Sequence, residues 1–191
     1  MKNKASVLIE EEKEVEKEQL DYGIACIVAL AIPLVIAAIF AVILERAIEM
    51  VLLMACLFPL REHAGGFHFS NRRMCSVVST LIFILQILAI KYWEVHRYIA
   101  IAAFIVASIP IAFFAPVGNK NRNLDLYEKE KYGDRAKTIW LVQTFAFFVL
   151  WILNLSRWYI IILVAVMTVG MLVSIGYIQE KIGYRNREEN V

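Results

Sequence analysis

Polar and apolar positions alternate along this chain in long blocks. After a charged opening stretch, six apolar segments follow at roughly 23–44, 47–60, 75–90, 98–116, 138–153 and 158–178, separated by short polar breaks. Gly23 to Leu44 is 22 residues without a charge, and Trp158 to Ile178 is another 21. Each meets the ~20 residues a helix needs to cross a hydrocarbon core about 30 Å thick. The second, third and fifth segments are only 14 to 16 residues long. Spans that short thin the bilayer, lean on neighbours, or re-enter on the same side. The pattern predicts an all-α, polytopic integral membrane protein of about six transmembrane helices, some short or re-entrant. Residues 1–21, rich in Glu and Lys, carry a thin apolar stripe (Val7, Leu8, Val15, Leu20). That stripe predicts a surface-lying amphipathic helix, with a solvated helix held by Glu/Lys pairs as the alternative. The expected division is one domain: the amphipathic segment 1–21, a membrane bundle over 22–178 and a polar tail over 179–191.

Composition strengthens this picture. The chain is 60% hydrophobic, with a mean hydropathy of +0.62, whereas a soluble domain is about half apolar. The first apolar run is too long for a secretory signal and follows an acidic rather than a basic stretch. A formal net charge of +2 gives no case for binding nucleic acid. Cys26, Cys56 and Cys75 are too few and too dispersed for a disulfide framework or a zinc pattern. No cofactor or metal is expected.

Charge placement sets the orientation. Sixteen Lys and Arg fall in the opening tail, the 61–73 loop, the 117–137 loop and the closing tail, whereas Arg46, Lys91, Arg97 and Arg157 occupy the other connections. The positive-inside rule then places both termini and the 61–73 loop in the cytoplasm. Trp93, Trp158 and Tyr159 fall on the opposite side, as interface anchors do. The 117–137 stretch reads as a solvated loop with a short helix, or as a grip on a peptide.

Candidate chemistry gathers in one polar break, Arg61 to Cys75 (REHAGGFHFSNRRMC). Gly65-Gly66 interrupts a helix, since glycine costs roughly 1 kcal/mol against alanine there. His68 follows, and Cys75 opens the next apolar run. A thiol and an imidazole are a nucleophile and its base. On a continuous helix their seven-residue spacing would separate them by ~10.5 Å along the axis, so they meet only if the chain folds back. The intervening polar run permits that. Ser70 or Asn71 could cap the third helix, whose dipole, with Arg72 or Arg73, would favour a thiolate at Cys75. Two other readings remain: a His and a Cys that merely sit at a membrane boundary, and a metal site of His63, His68 and Cys75. Glu62, Ser70 and Asn71 are each available to orient His68. Elsewhere, Glu49 sits near the outer end of its segment, where snorkelling accounts for it, and Gln86 is placed to bridge two helices.

In the Arg61…Gly65-Gly66-Phe67-His68 stretch, with Cys75 seven residues on, the chain resembles the accessory gene regulator B family of membrane cysteine peptidases. Phe114-Ala115-Pro116-Val117 reinforces the likeness. The run Asn121-Arg122-Asn123-Leu124 lacks the proline of the family's second motif, and so matches it only in part. The resemblance implies an enzyme of the bacterial cell membrane that cleaves the C-terminal part of a small precursor signal peptide. Cys75 would attack and His68 assist. The acyl group, held as a thioester, could then close a lactone or thiolactone ring on the substrate. Arg61, Gly65, Gly66, Ser70, Asn71, Arg72 and Arg73 would shape the site or bind substrate. The implied partners are the precursor and the bilayer, and the oligomeric state is left open, a homo-oligomer included. A small transporter built on a broken helix and a non-catalytic scaffold for peptide export are the competing readings.

Overall fold

A computed structural model describes residues 31–67, 72–118 and 126–188, together with positions 20 and 28. Its helices are α1 (Ala31–Ile43), α2 (Ala47–Ala64), α3 (Arg72–Tyr92), α4 (Arg97–Phe114), α5 (Leu126–Ile152) and α6 (Ser156–Glu188). Four are long and apolar enough to cross a membrane: Arg73–Tyr92, Arg97–Phe114, Lys129–Ile152 and Ser156–Ile182. The all-α membrane architecture read from the sequence is therefore present.

Several expected boundaries shift outwards. The third and fifth segments are not short, because each helix recruits polar residues at its end. Arg72 and Arg73 join α3, while α5 absorbs much of the expected 117–137 loop, starting at Leu126. The expected tail from 179 is helical as far as Glu188. The second segment is one continuous helix of 18 residues with no reversal, although Pro59 lies inside it. Proline cannot donate to the preceding turn. Nearby, Gln143 Nε2 of α5 donates to the Cys56 carbonyl at 2.7 Å, and His63 Nδ1 meets the Pro59 carbonyl at 2.9 Å. The predicted amphipathic segment 1–21 lies outside the described residues except for Leu20, which is helical and exposed.

α6 is the central element. About 72% of its most apolar stretch is buried, against 17–22% in α3, α4 and α5. It packs on α2, α3, α4 and α5. Glycine permits the tightest of these approaches: a Cβ at Gly170 would strike the Ala107 carbonyl of α4. Phe104 of α4 stacks on Phe147 of α5 (centroids 4.1 Å apart), and Tyr159 of α6 meets Phe147 edge-on at 5.7 Å. On α3, Gln86 Nε2 donates to Thr168 Oγ1 of α6 at 2.7 Å, so Gln86 does bridge two helices. The buried residues of α3 (Phe83, Gln86 and Ile87) all lie beyond its midpoint, leaving its first turns half-buried or exposed.

Three turns share one end of the bundle. The α1–α2 and α5–α6 turns close alike: Glu45 and Asn154 have φ of 59° and 58°, and each turn is sealed by a backbone bond back to the preceding helix (Arg46 N to Ala41 O, 2.7 Å; Leu155 N to Leu150 O, 2.9 Å). Glu49 joins them. It is not a snorkelling residue, because it is 1% exposed. Its Oε1 accepts from Arg46 Nη1 at 2.8 Å and from Arg157 Nε at 2.7 Å. A carboxylate removed from water needs such partners, and the two turns supply one each. The α3–α4 turn is fixed to the same end by Trp151 Nε1, which donates to the Arg97 carbonyl at 3.0 Å. Arg97 also lies over the Trp151 ring at 4.3 Å.

Candidate functional site

The opposite end holds the polar break. α2 stops at Ala64 because Gly65 (φ 68°) and Gly66 (φ 111°) leave helical space in directions that L side chains avoid. A buried stretch of non-helical backbone must find partners for its polar groups, and here those partners come from three directions. Gly65 N donates to Arg61 O at 3.2 Å, Gly66 N to Val117 O at 3.4 Å, and Phe67 N to Leu172 O of α6 at 3.0 Å. The Arg61 side chain answers the carbonyls. Its Nη1 donates to Gly65 O, and its Nη2 to Phe67 O at 2.6 Å.

Val117 brings the chain's two distinctive stretches together. Its N–H donates to Ala64 O at 3.0 Å, making a parallel bridge between Gly65 and Val117. The Phe114-Ala115-Pro116-Val117 run therefore forms one wall of the Gly-Gly break. Its Ala115-Pro116 peptide is cis. Pro116 packs on α5 at Gly133, where an added Cβ would lie 3.0 Å from Pro116 Cδ. On the α6 side, a Cβ at Gly176 would lie 2.8 Å from Gly66 C, Gly66 Cα and Phe67 N.

Of the residues singled out in sequence, Arg61, Gly65 and Gly66 thus converge in one network. Arg72 is the first residue of α3. Arg73 follows it with an exposed side chain that is not without a partner. Cys75 is half-buried in the first turn of α3 and carries a free thiol. It lies close enough to Arg61 to interact electrostatically with it. His68, Ser70 and Asn71 lie outside the described residues. The described chain halts at Phe67, the residue before His68, and resumes at Arg72, three before Cys75. Cys56 is half-buried in α2, away from any break, and Cys26 is outside the described residues. His63, besides its bond to Pro59, faces the Tyr132 ring at 5.8 Å. Among the described residues, no group of three or more His, Cys, Asp or Glu could hold a metal ion.

Sequence reasoning missed Leu172 and Gly176. Leu172 acts through its backbone, which leaves no trace in residue type. Gly176 had a faint signal, as a helix-weakening residue close to the inner end of an otherwise apolar run.

These features define a polytopic helical membrane protein in which a Gly-Gly break in one helix is held by the Arg61 side chain and by the backbones of Val117 and Leu172. The family model for accessory gene regulator B matches residues 1–175, and the chain belongs to that family. Its relatives include an AgrB-like protein of Clostridium acetobutylicum, 32% identical over 68 residues, which are 36% of this chain and 32% of the relative. A second AgrB-like protein, from Clostridium perfringens strain 13, is 25% identical over 122 residues, 60% of this chain and 57% of the relative. These alignments span from about a third to just over half of the relatives' lengths. No solved structure matches. Family membership supports a part in accessory gene regulator signal processing.

Proposed function

We propose that the chain is a membrane-embedded cysteine endopeptidase acting on a small precursor signal peptide, with Cys75 as nucleophile and His68 as its base. The observation that carries this reading is the double engagement of Arg61. Its guanidinium holds the carbonyls of Gly65 and of Phe67, the residue that precedes His68 in the sequence. Arg61 thereby fixes the backbone that leads into the His68–Cys75 stretch.

The chemistry follows from those roles. Imidazole takes the Cys75 proton, and the thiolate attacks the carbonyl carbon of the scissile peptide bond. The tetrahedral species collapses as the C–N bond breaks, and the imidazolium returns the proton to the departing amine. The N-terminal part of the precursor is left as a thioester on Cys75. Water then releases a linear acid, or a thiol or hydroxyl within the bound peptide displaces Cys75 and closes a ring. Thioester-to-thioester exchange conserves the reactive acyl bond, and exclusion of water favours it over hydrolysis.

The whole chain works as one unit in the cell membrane, with both termini and the break facing the cytoplasm, in line with the distribution of Lys and Arg. Co-expression with a candidate precursor peptide, followed by mass spectrometry, tests this reading. Cleaved product from wild type and a trapped acyl adduct on Cys75 are expected. Unimpaired cleavage by Cys75→Ala would rule the mechanism out.

A further inference from the structure

We propose that Pro116 and Gly118 form an open strand edge that takes an extended polypeptide by backbone pairing. The reading above enters only in the nature of the guest, a peptide substrate. At the Gly-Gly break, Val117 N–H donates to Ala64 O at 3.0 Å, and Val117 O accepts from Gly66 N–H at 3.4 Å. This is the regular pattern of a parallel bridge, and it aims both polar groups of Val117 at the break. The peptides on either side of Val117 are trans, since the cis bond lies one residue earlier. In a trans peptide the N–H and C=O point in opposite directions. The Pro116 carbonyl and the Gly118 N–H therefore point away from the break. Neither makes a hydrogen bond among the described residues.

The far edge of the other strand has no such opening. Gly65 N–H and Gly65 O are both bonded to Arg61. Phe67 N–H donates to Leu172 O, and Phe67 O accepts from Arg61 Nη2. One side of the bridged pair is sealed, and the other presents an acceptor and a donor side by side. Val117 itself is 3% exposed, whereas Pro116 and Gly118 are half-buried.

A second extended backbone is the guest that matches this pair. In either direction it offers an N–H for Pro116 O and a C=O for Gly118 N–H, which is how strands add to unpaired edges. A helical guest has already spent those groups on its own turns. The guest would lie about 4.8 Å from Val117, one strand removed from the break. Charges of both signs border the edge: Glu180 Oε1 stands 3.7 Å from where a Cβ on Gly118 would be, and Lys129 Nζ is 3.9 Å from the same oxygen. Such a rim suits a polar segment.

The test uses the full-length protein in lipid nanodiscs and a capped synthetic pentapeptide of alternating threonine and valine at millimolar concentration. A fully N-methylated copy is the control, because it keeps the side chains and loses every backbone donor. Hydrogen exchange at the Gly118 amide should be fast in the protein alone, about fivefold or more slower with the peptide, and fast again with the methylated copy. Slow exchange without peptide, equal rates with and without it, or equal slowing by the methylated copy each overturns the edge. Fluorescence polarisation of labelled peptide then compares G118A with G118P. An added Cβ meets only ordinary contact there, so G118A should bind like the parent. Proline removes the donor and should weaken binding by about twofold to tenfold; undiminished binding by G118P overturns the proposal. None of these readouts involves a thiol. Cleavage of a candidate precursor peptide by wild type, with Gly118 unprotected, overturns the edge alone, while protection at Gly118 without cleavage overturns the catalytic reading alone.

Discussion

Arg61 Nη2 donates to the carbonyl of Phe67 at 2.6 Å, spanning six residues across the end of α2. With the second bond to Gly65 O, one planar fork holds two carbonyls of the break. Lysine offers a point charge on a flexible stem and cannot reproduce that geometry. Arg61→Lys should therefore lose most of the function that Arg61→Ala loses. Each charged hydrogen bond is worth about 1.5–3 kcal/mol, so processing should fall by on the order of tenfold to a hundredfold. Precursor turnover in membranes checks this, and near-normal turnover by the lysine variant would refute the bidentate role.

Replacing His68 or Cys75 by alanine should abolish processing while leaving membrane insertion and thermal stability close to wild type. Cys75→Ala creates no fully buried cavity of the kind that costs several kcal/mol, as Cys75 is only half-buried. Loss of the base alone should lower turnover by about 10²–10⁴-fold. Cleavage by H68A at the wild-type rate would remove His68 from the mechanism.

Thiol reagents should separate Cys75 from Cys56. Cys75 sits in the first turn of α3, seven residues after the proposed base, whereas Cys56 lies within α2. In single-cysteine variants Cys75 should react with iodoacetamide at least about tenfold faster at neutral pH, since reactivity follows thiolate character. Equal rates would favour a scaffold without chemistry.

Gly65→Ala should be severely destabilising. Its φ of 68° is a left-handed value, and an added Cβ would collide with the Val117 carbonyl. The bridge that joins the two distinctive stretches would open, and the thermal midpoint in detergent should drop by several degrees or more. A variant of unchanged stability and activity would show that the bridge is dispensable.

The Glu49 cluster makes a prediction of the opposite kind, because its charges are unequally buried. Glu49 is inaccessible, whereas the side chains of Arg46 and Arg157 are 28% and 53% exposed. Removing both arginines strands a carboxylate, at a cost of about 3–5 kcal/mol. Glu49→Gln leaves two arginines that water can reach and should cost less. Adding Glu49→Gln to the double arginine variant should restore part of the lost stability. Thermal denaturation of the set checks the ordering, and a triple variant weaker than the double would contradict it.

The membrane class and the location of the break were legible because they rest on local signals: uncharged runs, a Gly-Gly pair, a histidine and cysteine at fixed spacing. Helix ends were not, since Arg72 and Arg73 look like loop residues until a helix is seen to begin there. Glu49 was misjudged for a related reason. Its partner Arg157 is 108 residues away in sequence, and no periodicity announces such a contact. The Val117 bridge and the Leu172 carbonyl were invisible on stricter grounds, because main-chain atoms are common to every residue.

The central helix has a further consequence. Near one tip, Arg157 grips the carboxylate that ties the α1–α2 and α5–α6 turns together. Nineteen residues later, about 28 Å along at helical rise, Gly176 supports the break. A single stiff strut therefore gauges how far the break lies from the opposite face of the molecule. A thicker or thinner bilayer can tilt this protein or deform around it, but the break keeps its depth relative to the far turns, because that depth is measured in turns of α6 and not in lipid.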